Sequence, residues 1–463
     1  MKINSIYLRT MAVATSLATA CNAGFLDVKP DRQVVVPESV ADLLALMDNL
    51  NLMAFRSPHG LGVIGAGEYY ITDLHYESFS AGTEYNFQKN AYTWEAVIYE
   101  GGEQNTDWND GYKRVLQSNV AIDGLKKISP SKNEQRAWET AMGAALFHRA
   151  YAYYSLAQLY CAAYDPSTAA LVLGLPLRVE ADPTLKIKRA NLADTYALIC
   201  DDLERAADLL PDRATAIKTR PSKQAAYALF TRVMMQMGNY AKARDYALQC
   251  LGIGDELIDF NEIDRSVNEP FPRWGIGNVE VLLYDNGAAL TMNSTNRTNM
   301  DTLLLKSYAP NDLRYETYFR IRSGRTVFKG GYDGVNDFNG LAMDEVYLNA
   351  AECLARENNL QQALHYLNRL LTTRHERGTF EPYESLDQEE VLALIIEERK
   401  KELVMRGTRW PDIKRLNKED RFKTTLRRVV AGKEYLLEPN SPKWVWPIPL
   451  EAVSIGGYEQ NPR

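Results

Sequence analysis

The sequence lacks an excess of basic residues and contains few histidines. Its 463 residues include 53 Lys and Arg against 60 Asp and Glu, which gives a formal charge of −7 at pH 7. A general nucleic-acid binder needs a basic face to neutralise phosphates, so this balance argues against that class. The five histidines form no HExxH motif and no pair at metal-ligand spacing. We therefore predict neither a metal site nor another cofactor.

Cysteine is also scarce, and its spacing excludes two further classes of structure. Besides Cys21, the chain has four cysteines, and none of them belongs to a CxxC pair. This pattern supports neither a zinc site nor a dense disulfide framework. The four lie within segments of helical periodicity, so we predict buried free thiols at Cys161, Cys200, Cys250 and Cys353.

The N-terminus contains an apolar run that is too short to span a membrane. The run from Met11 to Ala20 has ten residues, whereas a membrane-spanning helix needs about 20. Lys2 and Arg9 precede it and Cys21 follows it directly, which is the layout of a bacterial lipoprotein signal. We predict a signal peptide over residues 1–20, lipidation of Cys21, and a tether over residues 21–36. The alternative is a secreted protein in which this cysteine is incidental.

Helical periodicity dominates the rest of the chain. Residues 222–251 predict a helix, a tight turn at Gly238, and a second helix with small residues at the spacing of tetratricopeptide hairpins. A second copy places Leu360, Ala363, Leu367 and Leu370 at equivalent offsets. A further amphipathic helix is predicted from about Asp387 to Met405, with a left-handed stop at Gly407.

Two segments lose this periodicity. Residues 55–95, here called the early loops, are rich in Gly and aromatics, and residues 252–340, here called the insert, are rich in Asn and Gly. We therefore predict a mainly α fold, in which a scaffold of tetratricopeptide-like helical hairpins carries an irregular, loop-rich lobe with few short strands.

Several separated motifs together resemble the SusD/RagB family of outer-membrane nutrient-binding lipoproteins of Bacteroidota. These are FLDVKP at 25–30, ALFHRAYAYY at 145–154, ERKKELVMRGTRWPDIKR at 398–415 and WPIP at 446–449. Their order extends over nearly the whole mature chain. The resemblance implies a single SusD-like domain over residues 37–463, with loop-rich insertions at the early loops and the insert.

The resemblance also implies a function and a partner. A family member is expected to lie on the outer membrane, held by its lipid and facing the cell exterior. It would capture a nutrient as the lid of a SusC-like TonB-dependent β-barrel transporter. An oligosaccharide is the expected ligand on the family's usual preference, and the same role for peptides is the alternative.

Candidate ligand-binding residues come from the aromatic and polar side chains of the two irregular segments. Sugar rings present C–H faces that fit aromatic planes, and their hydroxyls need amide or guanidinium partners. The alternative for each aromatic is that it anchors a long loop to the scaffold. The candidates are Tyr69, Tyr70, Tyr76, Phe79 and Tyr85 in the early loops, and Trp274, Tyr284, Asn296 and Arg297 in the insert.

Enzymatic and adaptor functions have weaker support. Gly60 to Gly65 matches a dinucleotide-binding fingerprint, but a predicted helix precedes it where a strand is required. No nucleophile elbow or Walker loop occurs. A secreted glycan-active enzyme is a further alternative, but such enzymes commonly have a barrel or sandwich fold, which this helix-rich pattern does not predict, and no catalytic residue is predicted. A cytoplasmic peptide-binding adaptor would not need the N-terminal signal. Charged residues at helical spacing are interpreted as structural ion pairs, namely Glu398, Glu402, Arg406, Arg409 and Asp412.

Overall fold

The computed structural model is mainly helical and has ten short strands within the residues that it describes. These residues are 37–79, 85–101, 103, 105–214, 216–287, 290–334 and 337–463. The predicted signal peptide, Cys21 and the tether lie outside them. None of the described helices is both long and apolar enough to cross a membrane.

The helices are numbered in chain order. They are α1 (Val40–Met47), α2 (Leu50–Met53), α3 (Gly60–Gly65), α4 (Asp73–Glu77), α5 (Asn86–Tyr92), α6 (Thr106–Leu125), α7 (Gln135–Tyr160), α8 (Leu192–Leu209), α9 (Lys223–Gln236), α10 (Tyr240–Ile253), α11 (Thr302–Ser307), α12 (Arg314–Tyr318), α13 (Met343–Arg356), α14 (Leu360–Thr372), α15 (Gln388–Glu402), α16 (Arg409–Leu416) and α17 (Leu450–Gly456).

The strands pair into five separate two-stranded antiparallel ladders, which are β1–β5, β2–β3, β4–β8, β6–β7 and β9–β10. They are β1 (Tyr69–Ile71), β2 (Leu173–Pro176), β3 (Arg189–Asn191), β4 (Val281–Leu283), β5 (Thr298–Met300), β6 (Phe319–Arg322), β7 (Arg325–Phe328), β8 (Leu341–Ala342), β9 (Leu426–Val430) and β10 (Lys433–Leu437). The predicted fold class is therefore confirmed.

Local sequence determines where several of these helices begin. The side chains of Asn191, Ser222 and Asn239 each accept a hydrogen bond from a backbone N–H in the first turn of α8, α9 and α10. Ser39 begins α1 with a capping box that Asp42 completes. Such caps satisfy N–H groups that have no partner within the helix, and each contributes about 1 kcal/mol.

Both predicted helical hairpins are present. Gly238, with φ of 72°, turns the chain between α9 and α10, and Ala243, Ala247 and Cys250 are buried where the two helices approach closely. The predicted apolar positions of α14 are buried in the same way. Helix α10 also packs against α13 of the second hairpin, so the hairpins stack although the insert separates them in sequence. Pairing of β4 with β8 returns the insert to the scaffold next to α13.

Helix α15 ends at Glu402, three residues before the predicted end. Met405 and Gly407 both have positive φ there, at 59° and 73°. The N–H of Met405 donates to the Glu68 carboxylate at 2.9 Å, so a long-range contact replaces helical bonding. The left-handed Gly407 is present, but the helix has already ended before it.

Buried ion pairs join the insert to the scaffold. Arg314 of α12 contacts Asp312 and Glu398 at 2.6 Å each and Glu402 at 3.1 Å. Arg374 contacts Glu402 at 2.8 Å and Glu280 of the insert at 2.9 Å. Glu402 therefore pairs across elements, and Glu398 pairs both with Arg314 and with Lys401 in its own helix. Arg406 pairs with Asp344 at 2.5 Å, and Asp412 pairs both with Arg399 at 2.7 Å and with Arg415 of its own helix at 2.9 Å.

Candidate functional site

The early loops and the insert meet at the β1–β5 ladder. Tyr69 lies opposite Met300, Tyr70 opposite Asn299 and Ile71 opposite Thr298. Successive side chains of a strand point to opposite faces. Tyr69 and Ile71 are accordingly buried, whereas Tyr70 is 44% exposed. This ladder brings one predicted aromatic to the surface beside residues of the insert.

Tyr69 itself serves as an internal anchor. Its hydroxyl donates to Oδ1 of Asn293 at 2.6 Å, and its ring stacks on Tyr92 with 6.3 Å between centroids. Burial raises the pKa of Tyr69 well above its ordinary value. The side chain is only 2% exposed, so a ligand at the surface does not contact its ring.

Tyr76 and Phe79 are buried as well, and each lies under a cation. The Lys89 ammonium is 4.4 Å from the centroid of the Tyr76 ring, and the Arg297 guanidinium is 5.1 Å from that of Phe79. Burial raises the pKa of Tyr76. Both rings support the loop that carries the exposed groups, as the anchoring alternative anticipates.

Asn296 and Arg297 lie in the turn that precedes β5. Asn296 is exposed, and Arg297 is half-buried. Nη1 of Arg297 donates to the Ser78 hydroxyl at 2.7 Å, and its carbonyl lies 3.1 Å from Nδ1 of His75. These contacts hold the turn against α4, directly before the strand that pairs with the strand of Tyr70.

Asn299 is a residue of this site that the sequence did not single out. It is directly opposite Tyr70 and is 8% exposed. Its Nδ2 has no hydrogen-bond partner among the described residues. Buried amide groups normally have a hydrogen-bond partner, so an unpaired donor opposite an exposed ring makes Asn299 a candidate contact for a ligand.

Trp274 and Tyr284 form a second group, joined through Asp333. The backbone N–H of Trp274 donates to Oδ1 of Asp333 at 2.8 Å, and the Tyr284 hydroxyl donates to Oδ2 of the same carboxylate. Tyr284 is fully buried, and burial together with this carboxylate raises its pKa. Trp274 is 46% exposed and has φ of 60°. The turn thus presents an indole ring in a left-handed backbone conformation that glycine alone adopts without cost.

The remaining predicted aromatic, Tyr85, is 45% exposed at the start of α5. Residues 80–84, which precede it, lie outside the described ranges. The nine predicted residues therefore separate into surface groups and buried anchors. The exposed or half-buried ones are Tyr70, Tyr85, Trp274, Asn296 and Arg297, and the buried ones are Tyr69, Tyr76, Phe79 and Tyr284.

A cleft of about 660 Å³ opens in the insert beside the β6–β7 hairpin, which packs on β5. Residues 261–268 form one wall, and Tyr315, Arg320 and Lys329 contribute to the other. None of the nine predicted residues lines it. An alternating strand pattern around Ser323-Gly324 is the sequence signal that indicates the hairpin.

The segment that matches the dinucleotide fingerprint is a buried helix, α3. The N–H groups of Gly60 and Leu61 donate to the Asp107 carboxylate at 3.0 and 2.8 Å, so a protein anion already occupies the helix N-terminus. A Cβ on Gly65 would lie 2.5 Å from the Trp410 ring, which explains glycine there by close packing. Gly62 and Gly65 of this motif thus allow close packing between α3 and α16.

No group of three or more histidine, cysteine or acidic side chains in the described part of the chain is arranged to hold a metal.

The four predicted thiols are free. Cys161, Cys250 and Cys353 are buried, and Cys200 is half-buried. Burial raises the pKa of both Cys161 and Cys200 to about 11, which keeps these thiols protonated and unreactive at neutral pH.

Two family models match this chain. A model described as "Starch-binding associating with outer membrane", of the SusD-like type, matches residues 24–235, and the SusD family model matches residues 343–463. The chain belongs to the SusD/RagB family. Residues 236–342, which include the insert, lie outside both matches. The SusD resemblance inferred from the motifs is thereby confirmed.

Individual SusD relatives are distant in sequence and similar in fold. SusD-like protein P2 of Formosa agariphila is 24% identical over an alignment of 379 residues that covers 68% of this chain and 72% of that protein. A putative sugar-binding protein of Bacteroides vulgatus superposes with a TM-score of 0.72 at 19% identity, covering 92% of this chain and 99% of the other. A SusD superfamily protein of Bacteroides thetaiotaomicron gives 0.71 at 20% identity, with coverage of 92% and 100%. At these identities the structures establish the fold.

Proposed function

We propose that this SusD-family protein is a cell-surface lipoprotein that captures an oligosaccharide and delivers it to a SusC-like TonB-dependent transporter. The observation that carries this proposal is the β1–β5 ladder. It pairs the strand of the exposed Tyr70 with β5 of the insert, and Asn296 and Arg297 lie in the turn that leads into β5.

The chemistry of this surface suits a sugar. An aromatic ring offers a flat apolar face for the C–H groups of a pyranose, and amide and guanidinium groups donate to hydroxyls. In this proposal Tyr70 supplies the ring, while Asn296 and Arg297, in the turn before the paired strand β5, supply donors. The exposed indole of Trp274 is a second ring in the insert, presented from a separate turn. Similar structures described as sugar or carbohydrate binding support the same class of ligand.

Delivery to a transporter is inferred from the family. A protein that only binds cannot by itself move a solute across a membrane. Membership of the SusD/RagB family supports a β-barrel partner, and the signal-like N-terminus supports tethering through Cys21. Co-purification with a SusC-like barrel from outer membranes in mild detergent tests the partnership. Recovery of the protein only as a free monomer would contradict it.

Binding to a panel of oligosaccharides and oligopeptides tests the ligand class. Tyr70→Ala should weaken glycan binding by about 1 kcal/mol, or roughly five-fold, because a stacking plane is lost. Tyr383→Ala is the matched control, since Tyr383 is also an exposed tyrosine, at 39%, but lies in the loop after α14. Binding of peptides and no glycan would support the peptide alternative. A glycan bound equally by wild type and Tyr70→Ala would place the site elsewhere.

A further inference from the structure

The β6–β7 hairpin carries three arginines and no acidic residue over residues 319–328. Arg320 and Arg322 alternate along β6, and Arg322 lies directly opposite Arg325 in the ladder. Like charges directly opposite one another destabilise a two-stranded ladder. The hairpin therefore retains an unfavourable arrangement for which its own fold offers no reason.

Tertiary contacts join Arg322 and Arg325 to β5 and to the turn before it, which carries Asn296 and Arg297. Nη1 of Arg322 donates to the Thr295 hydroxyl at 3.2 Å, and Nη1 of Arg325 donates to the Thr298 carbonyl at 2.8 Å. Arg297 lies between these two acceptors in sequence. We call Arg297, Arg320, Arg322 and Arg325 the arginine surface.

None of the four has a carboxylate partner within 4.0 Å among the described residues; the hydrogen bonds of Arg297, Arg322 and Arg325 go to hydroxyl and carbonyl oxygens. Other arginines of the insert are paired, as Arg265 is with Glu316. The lack of partners is notable in a chain whose acids outnumber its bases.

Two buried donors, one on β6 and one on β5, also have no partner among the described residues. Nε of Arg320 and Nδ2 of Asn299 make no hydrogen bond with any described residue. An unsatisfied buried donor costs about 1–3 kcal/mol, and more when it belongs to a charged group. A ligand that accepts several hydrogen bonds and carries negative charge would offset both this cost and the repulsion among the guanidinium groups.

Resting on the proposed function, we propose that the oligosaccharide is anionic and that the arginine surface binds its carboxylate or sulfate groups next to Tyr70. Guanidinium groups donate two parallel hydrogen bonds to such oxyanions, and these charge-assisted bonds are about twice as strong as neutral ones. Carboxylates and sulfates accept such hydrogen bonds alike, and the experiment distinguishes a carboxylated ligand from a sulfated one.

The test compares matched ligands by calorimetry. Oligogalacturonate is paired with the same oligosaccharide after its carboxylates are reduced to alcohols, and a chondroitin sulfate oligosaccharide is paired with its desulfated form. Polyglutamate serves as an anion without a sugar. Wild type should bind at least one anionic sugar at least ten-fold more tightly than its matched counterpart. That preference should shrink between 50 and 300 mM salt.

The double variant Arg322→Gln/Arg325→Gln should lose at least ten-fold in affinity for the anionic sugar. Arg322→Lys/Arg325→Lys keeps the charge but not the paired donors, so it should lose part of the affinity for the anionic sugar. Arg205→Gln, on the exposed face of α8 where Arg205 pairs with Asp201, should bind like wild type. Unchanged thermal melting shows that each variant is folded.

The outcomes separate this inference from the proposed function. If glycans bind and the reduced or desulfated forms bind as tightly as the acidic ones, the anionic ligand class is wrong while glycan capture stands. Equal binding of polyglutamate would also overturn the inference, because the site would then recognise negative charge alone and not a sugar. If neither neutral nor anionic glycans bind, the proposed function itself fails.

Discussion

The Tyr69 hydroxyl donates a hydrogen bond of 2.6 Å to Asn293, and this buried bond joins the early loops to the insert across 224 residues of sequence. The next residue, Tyr70, is exposed on the opposite face of the same strand. Two consecutive tyrosines therefore differ in role, since one anchors the ladder and the other is available to a ligand.

Replacing Tyr69 should affect stability and leave binding nearly unchanged. Tyr69→Phe leaves Oδ1 of Asn293 buried without its donor, so we expect the free energy of unfolding to fall by about 1–2 kcal/mol. Tyr70→Phe, the control, should stay within about 0.5 kcal/mol of wild type because its hydroxyl is at the surface. Urea unfolding measures both variants. Equal stability of the two would show that the Asn293 bond contributes nothing.

Two substitutions of Trp274 should differ in stability because of its backbone conformation. Its φ of 60° costs a non-glycine residue about 1 kcal/mol. Trp274→Gly relieves this strain and Trp274→Ala does not, so the glycine variant should be the more stable by about 1 kcal/mol. Both lose the ring and should bind glycan equally weakly if the indole contacts the ligand. An alanine variant as stable as the glycine variant would show that the turn is unstrained.

Removing Arg314 should be strongly destabilising. Arg314→Met leaves Asp312, Glu398 and Glu402 buried with fewer cations, and breaking one partner of a buried pair costs about 3–5 kcal/mol. The control is Arg136→Met, whose exposed pair with Glu139 at 3.4 Å contributes less than about 1 kcal/mol. Urea unfolding compares them. A loss below 1 kcal/mol for Arg314→Met would mean that the network does not hold the insert to α15.

Glu68 should make stability depend on pH. Burial raises the pKa of Glu68 to about 7, and its Oε2 has no partner among the described residues. Because the folded-state pKa is above the unfolded value of about 4.5, the stabilising proton is lost as pH rises from about 4.5 to 7. Glu68→Gln should therefore gain up to about 3 kcal/mol relative to wild type across that range.

Urea unfolding at pH 4.5, 6, 7 and 8 measures this difference. Glu204→Gln, an exposed glutamate of α8, is the control and should follow wild type at every pH. Parallel curves for wild type and Glu68→Gln would mean that Glu68 is charged in the folded protein throughout this range.

Lipidation is tested at Cys21, which lies outside the described residues. The wild-type precursor expressed in a bacterial host should partition into the detergent phase, because the two or three chains of a lipoprotein hold a protein firmly to a membrane. Cys21→Ala should move to the aqueous phase, and Cys200→Ala is the matched cysteine control. Aqueous partitioning of the wild type would contradict the predicted tether.

The sequence determined the helical scaffold because helix signals are local. Caps such as Ser222 and the spacing of Ala243 and Ala247 act within one or two turns, so both hairpins were predicted correctly. The end of α15 was predicted three residues too late, since its position depends on the contact between Met405 and Glu68, which are 337 residues apart.

For the binding surface, the sequence determined only the segments and the kinds of side chain. Which tyrosine of a three-residue strand faces solvent depends on the strand that pairs with it, so only the tertiary structure placed Tyr69 inside and Tyr70 outside. The arginines of the β6–β7 hairpin were missed for a related reason. A guanidinium group attracts a ligand when no carboxylate neutralises it, and whether a carboxylate is near depends on the folding of distant segments around it.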